Sequence, residues 1–149
     1  MINWTINKFE LLSNNTLYDI LALREEVFTI EQKCTVIDLD GIDKRAIHVV
    51  GISENNVVAT ARISPPNTYK KGKVIFGRLA IKKDFRGQGF GDELMLMILQ
   101  YITTNYQDIP IECSAQLYLK SFYEKYGFVS YGDVYDDGGI PHISMTSLL

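Results

Sequence analysis

The amino-acid sequence predicts an α/β (α+β) fold in which a mixed sheet of six to seven strands is flanked by about four helices. Apolar residues recur at helical spacing in three segments, and short β-branched or alternating apolar runs fill the intervals between them. In chain order these segments give β, α, β, β, β, α, β, α, β, β. The 149 residues contain no internal repeat and no linker-like stretch, so we expect one domain over residues 1–149.

The N-terminal half combines one helix with three strands. Apolar and polar residues alternate over residues 2–6, which predicts a short half-buried strand. Thr16 begins a pattern that resembles a capping box, and apolar residues at helical spacing extend the helix to about residue 29. The segment 33–45 is acidic and irregular. Two β-rich runs between residues 46 and 64 are separated by three residues and predict a hairpin.

The C-terminal half alternates strands and helices around a glycine-rich turn. Amphipathic stripes predict a helix after the turn and a second helix that Gly127 ends as a left-handed cap. In order, the predicted elements are a strand over 73–83, the turn over 86–91, a helix over 90–101, a strand over 109–115, a helix over 119–126, and closing strands over 131–135 and 142–148.

Composition excludes several classes of protein. Fifteen Lys and Arg against 18 Asp and Glu leave a net charge of −3, which gives no overall basis for binding nucleic acid. No apolar run reaches the roughly 18 residues of a membrane span, and the N-terminus lacks the features of a signal peptide. Two cysteines are too few for a disulfide framework. We therefore expect a cytoplasmic protein with no nucleic-acid or membrane partner.

The glycine-rich turn is the most informative segment for function. It reads Arg86-Gly87-Gln88-Gly89-Phe90-Gly91 and lies between a strand and a helix, where free backbone N–H groups and the helix dipole bind anions such as phosphate. A dinucleotide fingerprint is excluded because Asp92 occupies its third glycine position, and a Walker loop is excluded because no Gly-Lys-Ser/Thr follows. A flexible loop with a helix cap remains an alternative.

Two blocks of sequence carry a resemblance to a known family. One is Arg-x-x-Gly-x-Gly after Leu79-Ala80-Ile81, and the other is Phe122-Tyr123-Glu124-Lys125-Tyr126-Gly127-Phe128. The first resembles the acyl-CoA signature of the GCN5-related N-acetyltransferase (GNAT) superfamily, and the second resembles its penultimate helix and the exit from it. Further strings are similar to the ElaA-like branch and cover nearly the whole chain, among them Leu21-Ala22-Leu23-Arg24, Asp40-Gly41-Ile42-Asp43, Phe76-Gly77-Arg78, Ser114-Ala115-Gln116 and Gly139-Ile140-Pro141-His142.

This resemblance implies a mostly antiparallel sheet with a binding site for acetyl-CoA. The strand near Leu79–Ile81 would splay from the strand near Ile111–Ser114, the pantetheine arm would bond to the exposed main chain, and amides of Gly87–Asp92 would hold the pyrophosphate. The implied coenzyme-binding residues are Leu79, Ala80, Ile81, Arg86, Gly87, Gln88, Gly89, Phe90, Gly91, Asp92 and Ser114.

Tyr123 occupies the position of the tyrosine that faces the coenzyme sulfur in many GNAT enzymes, so the resemblance implies that it is catalytic. The alternative is an aromatic core residue, since Tyr123 falls on an apolar stripe. Both descriptions hold if a buried ring presents its hydroxyl to the cleft.

The sequence does not identify a general base. Many GNAT enzymes have a glutamate on the central strand, but Gly77 and Arg78 stand in that neighbourhood here. Residues 25–43 contain six carboxylates and one basic residue. We predict that Glu31, Asp40, Asp43 and His142 bind the amine; the alternatives are a solvated charged face and a histidine satisfied in the core.

Together these observations predict an N-acetyltransferase that moves an acetyl group from acetyl-CoA to a primary amine by direct attack. The acceptor, a small molecule or a peptide, is not specified, and oligomeric state stays open with a homodimer among the alternatives. The rival prediction is a non-catalytic sensor or interaction module that binds acyl-CoA. We predict no metal, because no cysteines and histidines have zinc spacing and Asp38-Leu39-Asp40-Gly41 has its glycine too early for a calcium loop.

Overall fold

A computed structural model describes residues 1–148 and contains seven strands and three α-helices in that range. The strands are β1 (Asn3–Lys8), β2 (Ile47–Ser53), β3 (Asn56–Ser64), β4 (Val74–Ile81), β5 (Ile111–Gln116), β6 (Val129–Asp137) and β7 (Ile140–Ser147). The helices are α1 (Asn14–Arg24), α2 (Phe90–Asn105) and α3 (Lys120–Glu124), and a π-helical segment, Glu25–Glu31, extends α1.

The seven strands form one sheet in the order β1-β2-β3-β4-β5-β7-β6. All neighbouring pairs are antiparallel except β4 and β5, which are parallel. The predicted fold class, a mixed and mostly antiparallel sheet flanked by helices, is confirmed. Residues 1–148 contain three α-helices, where about four helices were predicted.

Two local predictions differ from the structure at element ends. The N-cap of α1 is Ser13, whose hydroxyl accepts a 3.1 Å hydrogen bond from the Thr16 amide, so the helix begins before Thr16. The β2–β3 hairpin turns on two residues, Glu54 and Asn55, both with positive φ, rather than on three. Asn56 already pairs with Ser53, because a two-residue turn of this hand matches the twist of the strands.

The two faces of the sheet carry different layers. One face packs against α2 and α3 and forms the main hydrophobic core, in which Leu94, Met95, Ile98 and Ile102 of α2 are buried. The opposite face packs against α1 and the π-helical segment through a smaller cluster that joins Leu23 and Val27 to Ala80 of β4. The acidic segment, residues 33–45, lies beside α1, since its Asp38 and Asp43 pair with Arg24.

Strands β4 and β5 separate soon after they begin. They pair only through Val74 with Ile111 and Ile75 with Glu112, whereas β5 then pairs along its whole length with β7. The rest of β4 therefore has no strand partner on its β5 side. This opening in the middle of the sheet positions the candidate site.

Candidate functional site

The space between the diverging strands is a cleft of about 790 Å³. Its walls include Leu79, Ala80 and Ile81 of β4 and Cys113 and Ser114 of β5. Backbone groups of a strand that has lost its neighbour can bond to an extended ligand as another strand would. The geometry at these five residues is therefore suited to a narrow, extended ligand that enters the sheet.

A β-bulge interrupts β4 beside this cleft. Arg62 of β3 pairs with Gly77 and Thr60 pairs with Ala80, so one extra residue of β4 stands in this interval. Arg78 within it has a φ of 54°, an unusual conformation for a residue with a side chain. Sequence reasoning missed the bulge; Gly77 inside an apolar strand was the only local sign of it.

The glycine-rich turn lies at one end of the cleft. Gly87 and Gly89 have φ values of 73° and 86°, and α2 begins at the next residue, Phe90. The first amides of a helix have no carbonyl partner within it, so they form an anion-binding site. A Cβ on Gly91 would lie 3.8 Å from the side chains of Ile81 and Phe122, so the turn packs closely on β4 and α3.

Arg86 in this turn is already paired. Its Nε donates to the Ile81 carbonyl at 2.8 Å, and its guanidinium binds both carboxylate oxygens of Glu31 at 2.8 and 3.1 Å. Glu31 therefore lies at the glycine-rich turn and is not brought together with Asp40 and Asp43. Asp92, also predicted to bind the coenzyme, accepts hydrogen bonds from Lys125 and Tyr126 of the segment after α3.

Tyr123 lies at the boundary between the core and the cleft. It is 7% exposed and packs against Phe76 and Phe122, with ring centroids 6.0 and 5.3 Å away, and it also lines the cleft. Burial raises the pKa of its hydroxyl, so the group stays protonated at neutral pH. Both sequence-based descriptions of this residue, core aromatic and cleft residue, agree with its placement.

The other wall of the cleft is polar. On β5, Glu112, Ser114 and Gln116 share the face away from α2, and the Ser114 hydroxyl is hydrogen-bonded to that of Tyr135 on β6. Burial alone would raise the pKa of Glu112, but hydrogen bonds from Lys70, Tyr131 and Lys73 hold it below its usual value. Glu112 is thus a paired carboxylate rather than a free one.

The acidic segment forms a buried ion-pair network with arginines. Asp43 accepts hydrogen bonds from Arg24 at 2.8 and 3.2 Å and from Arg62 at 3.1 Å, and it does not line the cleft. Asp40 lines the cleft but is bound by both Nη atoms of Arg62 at 2.9 Å. The arginines overcome the effect of burial and lower the pKa of both carboxyls.

The two histidines have different surroundings. His48 is buried beside this network, and its Nε2 lies 2.9 Å from the Asp43 carbonyl. His142 lines the cleft, its ring stacks on Tyr135, and its Nδ1 lies 2.7 Å from the Ile140 carbonyl. Only His142 is placed where it can meet a ligand in the cleft.

Two kinds of feature are absent from residues 1–148. No helix in that range is long and apolar enough to cross a membrane. No three side chains of His, Cys, Asp or Glu within the same range converge as a metal site.

Comparisons with known proteins assign the family. The model of the acetyltransferase (GNAT) domain matches residues 37–149. The chain belongs to the GNAT family. ElaA of Escherichia coli is 36% identical over 97% of this chain and 95% of its own, and a UPF0039 protein of Synechocystis is 40% identical over 97% and 94%. The resemblance to the ElaA-like GNAT branch is thereby confirmed.

Solved structures agree with this assignment. An acyl-CoA N-acyltransferase from Pseudomonas aeruginosa superimposes with a TM-score of 0.93 at 36% identity, covering 98% of this chain and 99% of the other. The crystal structure of Escherichia coli ElaA gives 0.91 at 35% identity, with 98% and 99% coverage. The GNAT fold of this chain is that of an acyltransferase with a co-substrate derived from coenzyme A.

The residues of the cleft fit such a co-substrate. The unpaired edge of β4 can bond to the two amides of a pantetheine arm, and the positive-φ glycines before α2 leave space for a pyrophosphate. A Cβ at Gly87 or Gly89 would meet no atom within 4 Å, so the space outside the turn is open.

Proposed function

We propose that this protein is an N-acyltransferase that moves an acetyl group from acetyl-CoA to a primary amine by direct attack. The observation that supports it most is the separation of β4 and β5, with the N-terminus of α2 at one end of the cleft and Tyr123 in its wall. The cleft therefore offers sites for each end of an acylated pantetheine chain.

Coenzyme A would bind mainly through backbone groups. Amides of Gly87–Asp92 would hold the pyrophosphate, and the main chain of Leu79–Ile81 would pair with the pantetheine amides. Arg86 would contribute by holding the turn in place, because its guanidinium is bound by Glu31 and by the Ile81 carbonyl. Ser114 would lie across the pantetheine arm from β4.

Tyr123 would assist departure of the coenzyme sulfur. A tyrosine hydroxyl is protonated at neutral pH, and burial raises the pKa of this one further, so it can donate a hydrogen bond to the sulfur as negative charge develops there. An ordinary thiol has a pKa near 8.5, well below that of this phenol, so complete proton transfer to the leaving thiolate is unfavourable. The sulfur would leave as a thiolate hydrogen-bonded to Tyr123 and take its proton from solvent.

The acceptor amine would occupy the polar face of the cleft. Glu31 lies at the glycine-rich turn and Asp43 outside the cleft, so of the four residues predicted to bind amine, Asp40 and His142 are the two that line it. The ion-pair cluster contains three carboxylates and three arginines: Asp38, Asp40 and Asp43 with Arg24, Arg62 and Arg78. Its net charge is therefore zero, and it does not attract a cationic acceptor. Hydroxyls such as that of Tyr135 would contribute to acceptor binding.

Release of free thiol from acyl-CoA in the presence of a panel of amines tests this function. We expect acetyl-CoA to bind with a Kd of about 1 μM or lower and one class of primary amine to accelerate thiol release, with the N-acetyl product identified by mass spectrometry. Propionyl-CoA and longer acyl-CoAs in parallel establish the preferred acyl group.

The matched control compares Tyr123→Phe with Tyr18→Phe, a change at an exposed tyrosine of α1. Only the first should lower the rate. Binding of acyl-CoA without amine-dependent thiol release would instead support a non-catalytic acyl-CoA-binding module.

A further inference from the structure

The tautomer of His142 is fixed by one hydrogen bond. Nδ1 lies 2.7 Å from the Ile140 carbonyl oxygen, which can only accept, so Nδ1 carries the proton of the neutral ring. Nε2 then has a free lone pair. Stacking on Tyr135, with centroids 6.0 Å apart and planes inclined by 27°, holds the ring in place. A carbonyl-bound Nδ1–H that leaves Nε2 as acceptor is the arrangement of an oriented base.

Strand register places His142 opposite Tyr123 across the sheet. His142 pairs with Gln116 of β5, and residues two apart on paired strands share a face, so it lies on the face of Ser114. Cys113 belongs to the other face, in the core that contains Tyr123. A thioester lying between β4 and β5 would have the Tyr123 hydroxyl on one side and the His142 imidazole on the other.

Several other titratable groups line the cleft. They come from β5 and the turn after it, from β6 and from the acidic segment, and they are Glu112, Tyr118, Tyr135, Asp137, Cys34, Asp38 and Asp40. Arg62 binds Asp40. Glu112 is bound by two lysines, Asp38 by Arg24 and Arg78, and the Tyr135 hydroxyl by Ser114. Asp137, at the exposed end of β6, is the carboxylate that competes with His142.

We propose, resting on the proposed acyltransferase function, that His142 is the general base that deprotonates the acceptor amine. Nε2 takes one proton from the ammonium, and the freed lone pair attacks the thioester carbonyl carbon. As the C–N bond forms and the C–S bond breaks, the sulfur leaves as a thiolate. Nε2 passes the first proton to solvent and then takes the second proton of the nitrogen and passes it on in the same way. The thiolate takes one proton from solvent, so the reaction releases one proton in total.

The first test is the imidazole nitrogen NMR spectrum of the full-length protein labelled with ¹⁵N. With two histidines in the chain, His142→Asn and His48→Gln assign the signals. We expect neutral His142 to carry its proton on Nδ1. A neutral ring protonated on Nε2 would overturn the proposal, whatever the activity.

The second test is the kcat–pH profile at saturating acetyl-CoA and amine. His142→Asn retains a side-chain N–H near the position of Nδ1 and removes the base, so we expect kcat to fall roughly 10²-fold at neutral pH. Its rate should keep rising up to the pH at which the ammonium group of the acceptor deprotonates in solution. Added imidazole should restore part of the activity of a His142→Ala protein, and CoA affinity by calorimetry should be unchanged in both variants.

Asp137→Asn is the matched control and should keep the profile of the unmodified protein. Full kcat in a folded His142→Asn protein, or a changed kcat–pH profile in Asp137→Asn alone, would overturn the assignment of the base while leaving acyl transfer intact. Absence of amine-dependent thiol release by the unmodified protein would overturn the proposed function and the base together.

Discussion

Replacing Asp43 with asparagine tests whether the acidic segment serves stability or the amine. Asp43 is 6% exposed and receives three hydrogen bonds from two arginines that are themselves 1% and 5% exposed, Arg24 and Arg62. Asparagine has nearly the same size, but it carries no charge, and its amide N–H₂ would face a guanidinium. The substitution therefore leaves two buried cations with one counter-charge fewer.

The expected loss of stability follows from what each arginine retains. Breaking a buried ion pair by removing one partner costs about 3–5 kcal/mol, because the other charge stays buried. Here Arg24 keeps Asp38 at 2.8 Å and Arg62 keeps Asp40 at 2.9 Å, so the cost should lie near the lower end, about 3 kcal/mol. For a chain of 149 residues this corresponds to a decrease in Tm of roughly 6–12 °C.

Calorimetric melting and urea unfolding measure this change, and Asp133→Asn, at an exposed position of β6, is the control with the same chemistry. We expect the control to change the free energy of unfolding by less than about 0.5 kcal/mol. If Asp43→Asn lost less than about 1 kcal/mol and raised the KM for the amine with CoA affinity unchanged, Asp43 would belong to an amine site and the structural argument would be refuted.

Three further predictions concern the coenzyme, the leaving group and acid stability. Gly89→Val should weaken CoA binding at least tenfold by calorimetry, since a branched side chain would occupy the phosphate space, whereas Gly72→Val, also at positive φ but outside the cleft, should not. Tyr123→Phe should lower kcat roughly 10²-fold with little change in CoA affinity or Tm, and full kcat with chemistry rate-limiting would exclude its role. Because Glu112 has a lowered pKa in the folded state, its stabilising effect is present above the unfolded carboxyl pKa of about 4.3 and is lost as pH falls through the folded value. Glu112→Gln should therefore show a weaker loss of stability in acid than the unmodified protein, and an equal loss would exclude that contribution.

Local signals predicted the parts of the fold that depend on local physics. The stripe after the glycine-rich turn predicted α2, which begins at Phe90 as expected, because buried residues recur at helical spacing over the core face. The exit from α3 was also predictable: Gly127 has a φ of 87°, and the Phe128 amide bonds back to the Tyr123 carbonyl. Both depend on residues within a few positions of one another.

The pairing of charges could not be read from the sequence. Glu31 and Arg86 are 55 residues apart, and Asp40 and Arg62 are 22 apart, so no periodicity relates them. An acidic stretch has the same composition whether its carboxylates face solvent, an amine or buried arginines. The basic residues that decide among these lie on α1, β3 and β4. Arg24 stands between Ile20 and Val27 on the buried face of α1, which indicates burial but not which carboxylate it meets.

Arg78 links the shape of the cleft to the stability of its wall. A non-glycine residue held at positive φ, as Arg78 is, lowers the free energy of unfolding by about 1–3 kcal/mol. Such a conformation persists only where surrounding contacts fix it. Here the guanidinium donates to the Asp38 carbonyl at 2.9 Å and its Nε lies 2.7 Å from an Asp38 carboxylate oxygen. These contacts anchor the acidic segment over the polar face of the cleft and offset the strain of the bulge that Arg78 forms in β4. Because one residue does both, losing the ion pairs would free the segment and relax the bulge together, so the shape of the polar side of the cleft depends on the pairing of Arg78 with Asp38.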